Sequence, residues 1–411
     1  MLAEILPRAH ARYASLPVLG SHLEGFVRWL REQEYSDPLI RLRLRGAERL
    51  DGMLARDSIR GLQHLSGASL LGYAPARAED DVYLAAVVRS LAGYLKDQGV
   101  LVPDPVTTTD TLVARYRAYL MRVRGLSART ATAHAGTATE FLSSLKYDST
   151  PGRLSELQQP DVERFVRTTG RRLSRATLQH TVANLRSFLR FLATASLVPL
   201  GLDGGIDTPR VYRGERLPRA LPWGTVRDLL RSVERSTAMG RRDYAMLLLV
   251  ATYGLRSCEV VTMTLDDVDW RAARLRVRRP KVGSPLLLPL TPEVGAALLD
   301  YLQHGRPASP HRDIFLRVRA PAGQLKPTAL SEVFQGSVRR SGLPIPFQGA
   351  HCLRHSLAVH LLRQGTPLKT IGDLLGHRSA ESTCVYLGLH VEDLRDVALD
   401  LPHEAMEEVQ P

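Results

Sequence analysis

The segment LGHRSAESTCVYLGL, residues 375–389, joins the end of one helix to a tyrosine that could react. Gly376 is a typical helix stop, and His377 follows it directly. Ser379 is a typical N-cap residue, so a further helix is expected to begin there and to lead to Tyr386, nine residues after His377. Tyr386 is either one more aromatic residue of a core or a nucleophile, and the segment alone leaves both interpretations open.

The composition is that of a globular protein with more than one domain. A chain of 411 residues exceeds one ordinary domain, so two or three are expected. No run approaches the roughly eighteen apolar residues that a membrane span requires, and the first ten residues lack the features of a secretory signal. We therefore expect a cytoplasmic protein with no membrane partner. The cysteines Cys258, Cys352 and Cys384 have no paired spacing, which argues against a disulfide framework and a structural zinc cluster.

The charge points to a polyanionic partner. The formal net charge is +13, and for a protein without a membrane segment the commonest such partner is nucleic acid. A merely soluble basic surface is the alternative. Lysine contributes little to this charge, because only five of the 55 basic residues are lysines.

Breaks rich in proline and glycine divide the chain into three predicted domains, residues 1–104, 107–205 and 213–411. The first is predicted to be a helical accessory or DNA-binding region. The second contains amphipathic helices, and Arg186 and Arg190 lie on one side of the last of them, where they are candidates for phosphate binding. A solvated charged face is the commoner explanation for two such arginines.

The third domain mixes helices with a few strands. RLRVRRPKVGSPLLLPL, residues 274–290, predicts two short strands around a turn. The next helix is expected to have Thr291 as N-cap, Pro292 in its first position and Gly305 after its end. HCLRHSLAVHLLRQG, residues 351–365, predicts another helix closed by glycine. The fold class expected for the whole chain is mainly α with a small antiparallel β-sheet.

Two histidines and an arginine share the beginning of this last helix. His351 and His355 are spaced as in a metalloprotease helix, but Cys352 stands where that motif requires glutamate, and no further ligand is well placed. Zinc is therefore not expected. His351 and Arg354 lie on one face of the helix, where a planar guanidinium and a ring N–H suit an oxyanion. His355, together with His360 and the three cysteines, is interpreted as a packing residue.

A second anion-binding arginine is expected at the start of a short helix. Arg256 follows Gly254 at a probable helix N-terminus, where backbone N–H groups favour anions. Glu259 follows within one turn and is placed to orient the guanidinium of Arg256. Each of these short patterns occurs by chance in many proteins, so none is specific alone.

The ordered set of motifs is specific, and it resembles the catalytic domain of the tyrosine recombinase or phage integrase family. The set comprises G-L-R-x-x-E at 254–259, the basic hairpin at 274–290, H-x-x-R at 351–354, L-G-H at 375–377 and Tyr386. The resemblance is strong over residues 217–400. It is looser over 107–200, which looks like the family's core-binding helical domain, and weak over 1–104.

The resemblance implies a site-specific DNA recombinase that uses neither a metal nor another cofactor nor ATP. Tyr386 would attack a DNA phosphodiester and form a 3′-phosphotyrosine. Lys281 would protonate the departing 5′ oxygen, because lysine, unlike arginine, can release a proton as a general acid. Lys326 is the second candidate for this role, since family members often have glycine on both sides of the lysine and here Pro280 and Val282 flank it. The groups expected around the phosphate are Arg256, His351, Arg354 and His377.

The resemblance also implies partners and leaves two alternative functions. Double-stranded DNA is the expected partner, with a dimer to tetramer of this chain assembled on it, in the integration, excision or transposition of a mobile element. The alternatives are a swivelase similar to type IB topoisomerases and a DNA-binding protein that has lost catalysis. An apolar stripe on the acidic C-terminal tail could dock on a neighbouring subunit or on its own domain; it consists of Val391, Leu394, Val397 and Leu401.

Overall fold

The computed structural model describes residues 1–75, 81–210, 219–278, 285–347, 349–377, 379 and 381–387. Lys281 and the tail stripe Val391, Leu394, Val397 and Leu401 lie outside these described residues. The described residues form two compact units, one from 1–51 together with 216–411 and the other from 52–215. The division into three domains at 1–104, 107–205 and 213–411 stays a prediction.

The chain begins with four helices. Asp51 is buried in the fourth, and its Oδ1 accepts hydrogen bonds from the backbone N–H groups of Val18 at 3.0 Å and Leu19 at 2.6 Å. These bonds hold the turn before the third helix against the fourth. The backbone carbonyl of Gln33 accepts a hydrogen bond from Ala322 N at 3.1 Å, so this region also contacts the later part of its own unit. The helices are α1 (Leu2–Ile5), α2 (His10–Ala14), α3 (Gly20–Glu32) and α4 (Asp37–Arg56).

The second unit is helical and packs around aromatic side chains. The ring of Tyr116 is fully buried, 4.9 Å from that of Phe188, and its hydroxyl donates to Ser187 Oγ at 2.9 Å. Ser127 and Ser174 cap two of the helices, each accepting from a backbone N–H three residues later. The helices are α5 (Gly67–Leu71), α6 (Val82–Asp97), α7 (Thr108–Arg122), α8 (Ala128–Ser144), α9 (Gln159–Gly170) and α10 (Arg175–Thr194).

The later part of the first unit carries the candidate site. Its sheet has the order β1-β2-β3 and is antiparallel throughout, with Leu275 opposite Leu288. The two strands predicted within 274–290 are confirmed, and β1 is an additional strand. The strands are β1 (Val268–Asp269), β2 (Arg274–Val277) and β3 (Leu286–Pro289). The helices are α11 (Trp223–Ser232), α12 (Ala238–Tyr253), α13 (Ser257–Val261), α14 (Pro292–His304), α15 (Ala329–Ser341), α16 (His351–Arg363), α17 (Leu368–Leu375) and α18 (Glu381–Cys384).

Several predicted helix ends are confirmed at residue level. Thr291 caps α14 by accepting from Val294 N, Pro292 is its first residue and Gly305 follows its end. The fold class is as predicted, mainly helical with a small antiparallel sheet. Among the described residues there is no helix both long enough and apolar enough to cross a bilayer.

Helix α12 lies within the later part of the first unit and packs against helices on several sides. Ten of its residues are buried, so it contacts α11, α13, α14, α15 and α16 rather than presenting one apolar stripe. It ends at Gly254, which has the left-handed conformation with φ +65°. A Cβ at this position would lie 2.5 Å from Leu375 Cδ2 and 3.2 Å from Leu357 Cδ2, so both the turn and its close packing require glycine.

Gly254→Ala is expected to lower the free energy of unfolding of the first unit by about 1–3 kcal/mol, the usual cost of a left-handed non-glycine residue, with the Leu375 contact adding to it. Gly295→Ala is the matched control, because Gly295 lies inside α14 and its added Cβ would make only ordinary contacts at 3.6 Å. Urea unfolding followed by tryptophan fluorescence measures both variants, since Trp29, Trp223 and Trp270 all belong to this unit. Equal midpoints for the two variants would contradict the account of this turn.

Candidate active site

The guanidinium of Arg354 is buried among the ends of two other helices. Arg354 is 2% exposed, and it projects from the first turn of α16. Its Nη2 donates to the carbonyl of Leu375 at 2.6 Å, at the end of α17, and its Nη1 donates to the carbonyl of Gly254, at the end of α12. Carbonyls at helix C-termini carry partial negative charge, so they stabilise a cation that burial would otherwise disfavour.

Arg256 lies beside this group and is held in a similar way. It is the N-cap residue of α13, as the sequence predicted for a helix start, and its backbone N–H donates to Glu259 Oε2 at 2.8 Å. Its Nη1 donates to Glu259 Oε1 at 2.8 Å, and its Nη2 donates to the carbonyl of Gly376 at 3.0 Å. The carboxylate of Glu259 is buried and fixes the guanidinium, while the Arg256 side chain remains 27% exposed. Glu259 therefore orients Arg256, as the spacing suggested.

His377 follows the glycine that ends α17. Gly376 has φ +65°, and the backbone N–H of His377 donates to the Gly372 carbonyl at 2.9 Å, which closes the helix. His377 Nδ1 lies 2.8 Å from Thr383 Oγ1, and this bond joins the end of α17 to the short helix α18. The His377 ring stacks on that of Tyr386, with centroids 6.2 Å apart and planes at 17°.

Tyr386 is buried beside these groups. It is 2% exposed and packs against Ala358, Val359, Ile371 and Leu375, so it is also part of a small core, as the alternative interpretation required. Burial raises the pKa of the Tyr386 hydroxyl above its ordinary value, and the positive charges of the two site arginines oppose this rise only in part. The hydroxyl is therefore protonated at neutral pH.

The structure brings a second histidine, His355, to the tyrosine, so its predicted role as a packing residue is incomplete. His355 Nδ1 lies 3.0 Å from the Tyr386 hydroxyl, and its ring meets the edge of the His351 ring with centroids 4.6 Å apart. Partial burial is the main cause that lowers the pKa of His355 to about 4, and the neighbouring His351, Arg354 and His377 add to the effect. One feature of the sequence indicates that His355 belongs to the site: it directly follows Arg354 and lies one helical turn after His351.

His351 lies at the exposed beginning of α16. Packing around its ring, together with the charges of Arg354 and Arg256, lowers the pKa of His351 below its ordinary value. A neutral imidazole offers one N–H donor and one acceptor, so His351 can donate to an oxygen placed between the arginines. The structure thus brings Arg256, His351, Arg354, His377 and Tyr386 together.

Lys281 lies outside the described residues, but the strand leading to it is well anchored. The carboxylate of Asp267 is 1% exposed, and its Oδ1 lies 3.4 Å from Arg276 Nε and 3.2 Å from Arg278 Nε. The basic strand β2 is therefore tied to the loop before the sheet. Lys326, the second candidate for the same role, is exposed in the segment before α15 and lines a cavity of about 530 Å³ with several arginines.

Arg186 and Arg190 contact the segment that follows their helix. The guanidinium of Arg186 donates to the carbonyl of Ile206, and Arg190 Nε donates to Asp203 Oδ2 at 2.8 Å. Arg190 nevertheless keeps 60% of its side chain exposed. Both side chains thus hold the segment after α10 in place, and their contact with DNA stays a prediction.

The remaining candidates for packing roles differ from one another. His360 stacks on Trp223, with ring centroids 4.2 Å apart and planes at 4°, so its packing role is confirmed. Cys352 is buried, but Cys258 is only half-buried and Cys384 is exposed, so the packing role does not hold for all three cysteines. Within the part of the chain that the structure describes, no three histidine, cysteine, aspartate or glutamate side chains converge as metal ligands would.

Sequence comparisons relate most of this chain to recombinases. The model of the phage integrase family matches residues 222–393, and that of the phage integrase N-terminal SAM-like domain matches residues 113–196. The protein y4rA of Sinorhizobium fredii, named as a candidate integrase/recombinase, is 33% identical over 391 residues. The match covers 92% of this chain and 94% of that protein. Tyrosine recombinase XerD of Listeria monocytogenes is 29% identical over 290 residues, covering 69% of this chain and 95% of XerD.

Structural comparison gives the same fold. The crystal structure of the XerH site-specific recombinase bound to a palindromic difH substrate, a post-cleavage complex, matches this chain with a TM-score of 0.54. The match covers 69% of this chain and 83% of XerH at 17% sequence identity. At 17% identity the match shows that the two proteins share a fold, that is, the same arrangement of helices and strands.

The ring of His355 is expected to stay neutral down to about pH 4, well below the ordinary histidine pKa of 6.5. Because the unfolded chain takes up this proton at higher pH than the folded chain, the His355 contribution to the free energy of unfolding falls as pH drops from 6.5 to about 4. NMR titration of ¹³C-labelled histidine, assigned with His355→Asn, measures this pKa directly. A His355 pKa near 6.5 would contradict the burial of this ring in the structure.

Proposed function

The chain belongs to the phage integrase family of tyrosine recombinases, and we propose that Tyr386 is the nucleophile with which it breaks and rejoins DNA at specific sites. The observation that carries this proposal is the convergence of two arginines on the end of α17. Arg354 binds the Leu375 carbonyl and Arg256 binds the Gly376 carbonyl, and the next residue, His377, stacks on Tyr386. An anion held by these cations would lie close to the tyrosine.

The proposed reaction exchanges one phosphodiester for another. The Tyr386 oxygen attacks the scissile phosphorus, the bond to the 5′ oxygen breaks, and a 3′-phosphotyrosine forms. This ester conserves the free energy of the broken bond, so a 5′-hydroxyl can later attack it and reseal a strand without ATP. Exchange of the attacking strand between two sites yields recombination.

Negative charge that builds up on the phosphate would be stabilised by donors that are already in place. Arg354 is fixed by two carbonyls, and Arg256 by Glu259 and a third carbonyl. Neither guanidinium has to be ordered when DNA binds, so its full stabilisation is available to the transition state. His351 and His377 add ring N–H donors beside the two arginines. We assign Lys281 to protonation of the leaving 5′ oxygen.

The substrate is double-stranded DNA, which agrees with the net charge of +13. We propose that a dimer to tetramer of this chain acts on DNA in the cytoplasm, with the tail carrying Val391 and Leu394 docked on a neighbouring subunit. Contacts from Arg186 and Arg190 to the DNA backbone remain part of this proposal. A role for the whole protein in moving a mobile element is supported by the relative y4rA, whose name includes integrase and which aligns over 92% of this chain.

Tyr386→Phe is expected to bind DNA as tightly as the unchanged protein, because the hydroxyl is a small part of the interface, and to form no covalent complex. A nicked suicide substrate traps the covalent product, which is resolved on a denaturing gel and mapped by mass spectrometry. Tyr301→Phe is the control, since the Tyr301 hydroxyl is buried and accepts from Leu316 N at 3.2 Å, away from the site. An adduct that survives in Tyr386→Phe would disprove the nucleophile.

Lys281→Ala is expected to slow cleavage by roughly 10²- to 10⁴-fold, the usual effect of losing a general acid, with little change in DNA affinity. Lys281→Arg restores the charge without a transferable proton, so it should not restore the rate. A substrate with sulfur at the 5′-bridging position leaves as a thiolate and needs no proton, so Lys281→Ala should cut it at nearly the normal rate. If Lys281→Ala cuts the sulfur-containing substrate as slowly as normal DNA, Lys281 is not the general acid. Lys326 is then the next candidate, and Lys326→Ala is tested with the same pair of substrates.

A further inference from the structure

The nucleophile in this site carries a proton that has to leave during attack. The Tyr386 hydroxyl is buried, and the raised pKa of this group keeps it protonated at neutral pH. The two arginines remain cationic under all ordinary conditions, so they cannot accept the proton. A group that can accept a proton has to lie within hydrogen-bonding distance of the tyrosine oxygen.

We propose that His355 is this acceptor, a catalytic base that takes the Tyr386 proton on Nδ1 during cleavage and returns it during rejoining. The proposal rests on the proposed role of Tyr386 as nucleophile. Its main support is the distance of 3.0 Å between His355 Nδ1 and the Tyr386 oxygen, which is within the range needed for direct proton transfer.

The position of His355 is determined by the same helix that carries the buried arginine. Arg354 ties the first turn of α16 to the carbonyls of Gly254 and Leu375, and His355 is the next residue. Its ring is confined between the His351 ring at 4.6 Å and the Tyr386 ring at 5.5 Å, measured between centroids. A base held in this way needs no reorganisation before it acts.

The charged and titratable neighbours of His355 favour its neutral form. His351 and Arg354 face it from α16, and His377 faces it from the end of α17. Together with burial they keep the ring neutral at neutral pH. In the tautomer that carries its proton on Nε2, Nδ1 is the acceptor. A DNA phosphate bound at the arginines adds negative charge nearby, which strengthens the base in the complex relative to the free protein.

Atoms and charges balance in the proposed step. The Tyr386 O–H bond breaks, its proton moves to His355 Nδ1, and the oxygen forms a bond to phosphorus. The bond from phosphorus to the 5′ oxygen breaks, and that oxygen takes a proton from Lys281. During rejoining each proton moves back, so His355 serves as the acid that releases Tyr386.

His355→Asn separates a base from a residue that merely holds the tyrosine. The asparagine Oδ1 can accept the Tyr386 hydrogen bond at nearly the same place as Nδ1, but an amide has no useful basicity. His360→Asn is the matched control, because His360 lies on the same helix and stacks on Trp223. Both variants are compared with the unchanged protein in single-turnover cleavage of the suicide substrate between pH 6 and 9, with DNA affinity and thermal unfolding measured alongside.

His355→Asn is expected to cleave roughly 10²- to 10⁴-fold more slowly at pH 7 with DNA affinity unchanged. Its rate should rise about tenfold per pH unit, since hydroxide then has to ionise the tyrosine, while the rate of the unchanged protein stays level. His360→Asn should follow the unchanged protein. Cleavage by His355→Asn within about threefold of normal, or a slow rate that does not depend on pH, would overturn the proposal.

Two further measurements keep the test decisive. If His355→Asn is unstable, His355→Ala replaces it. Added imidazole is then expected to restore part of the cleavage rate, because it can enter the space left by the ring. A folded His355→Ala protein whose rate imidazole does not restore would contradict the proposal. Mass spectrometry of the adduct from the unchanged protein separates the two levels of inference. An adduct at another residue refutes the function of Tyr386, whereas an adduct at Tyr386 with normal cleavage by His355→Asn refutes only the base.

Discussion

The burial of the Arg354 guanidinium among backbone carbonyls is the interaction on which the site depends. A cation without partners in a protein interior is strongly disfavoured, so Arg354 is tolerated at 2% exposure because the carbonyls of Gly254 and Leu375 accept from it. Those carbonyls end α12 and α17, and Arg354 itself lies in the first turn of α16. One side chain thus fixes three helix termini, and Arg256, His355 and the segment leading to Tyr386 take their positions from them.

The same positive field has opposite consequences for different groups in the site. It favours a phosphate, opposes protonation of the histidines, and partly offsets the effect of burial on the tyrosine. The arginines therefore supply charge, whereas the neutral imidazoles are available to donate and accept protons. This division follows from side-chain chemistry, since a guanidinium holds its proton and an imidazole exchanges one near neutral pH.

The sequence predicted what depends on local patterns. Thr291 and Gly305 lie at the two ends of α14 as expected, because capping depends on neighbouring residues. Arg256 is the N-cap of α13 for the same reason. The partners of Arg354 could not be predicted, since backbone carbonyls occur at every residue and only the packed fold selects two of them. His355 was assigned to packing because its hydrogen bond to Tyr386 spans 31 residues and has no local signature.

The two glycines that end α12 and α17 also constrain how the gene can change. Both have φ +65°, and the carbonyl of Gly376 accepts directly from Arg256. Glycine codons share their first two bases, and every single-base missense change to them encodes a residue with a Cβ. At Gly376 there is consequently no mutational neighbour that preserves the backbone turn without strain. A missense change at this codon therefore places a side chain in the left-handed conformation, at the residue whose carbonyl accepts from Arg256.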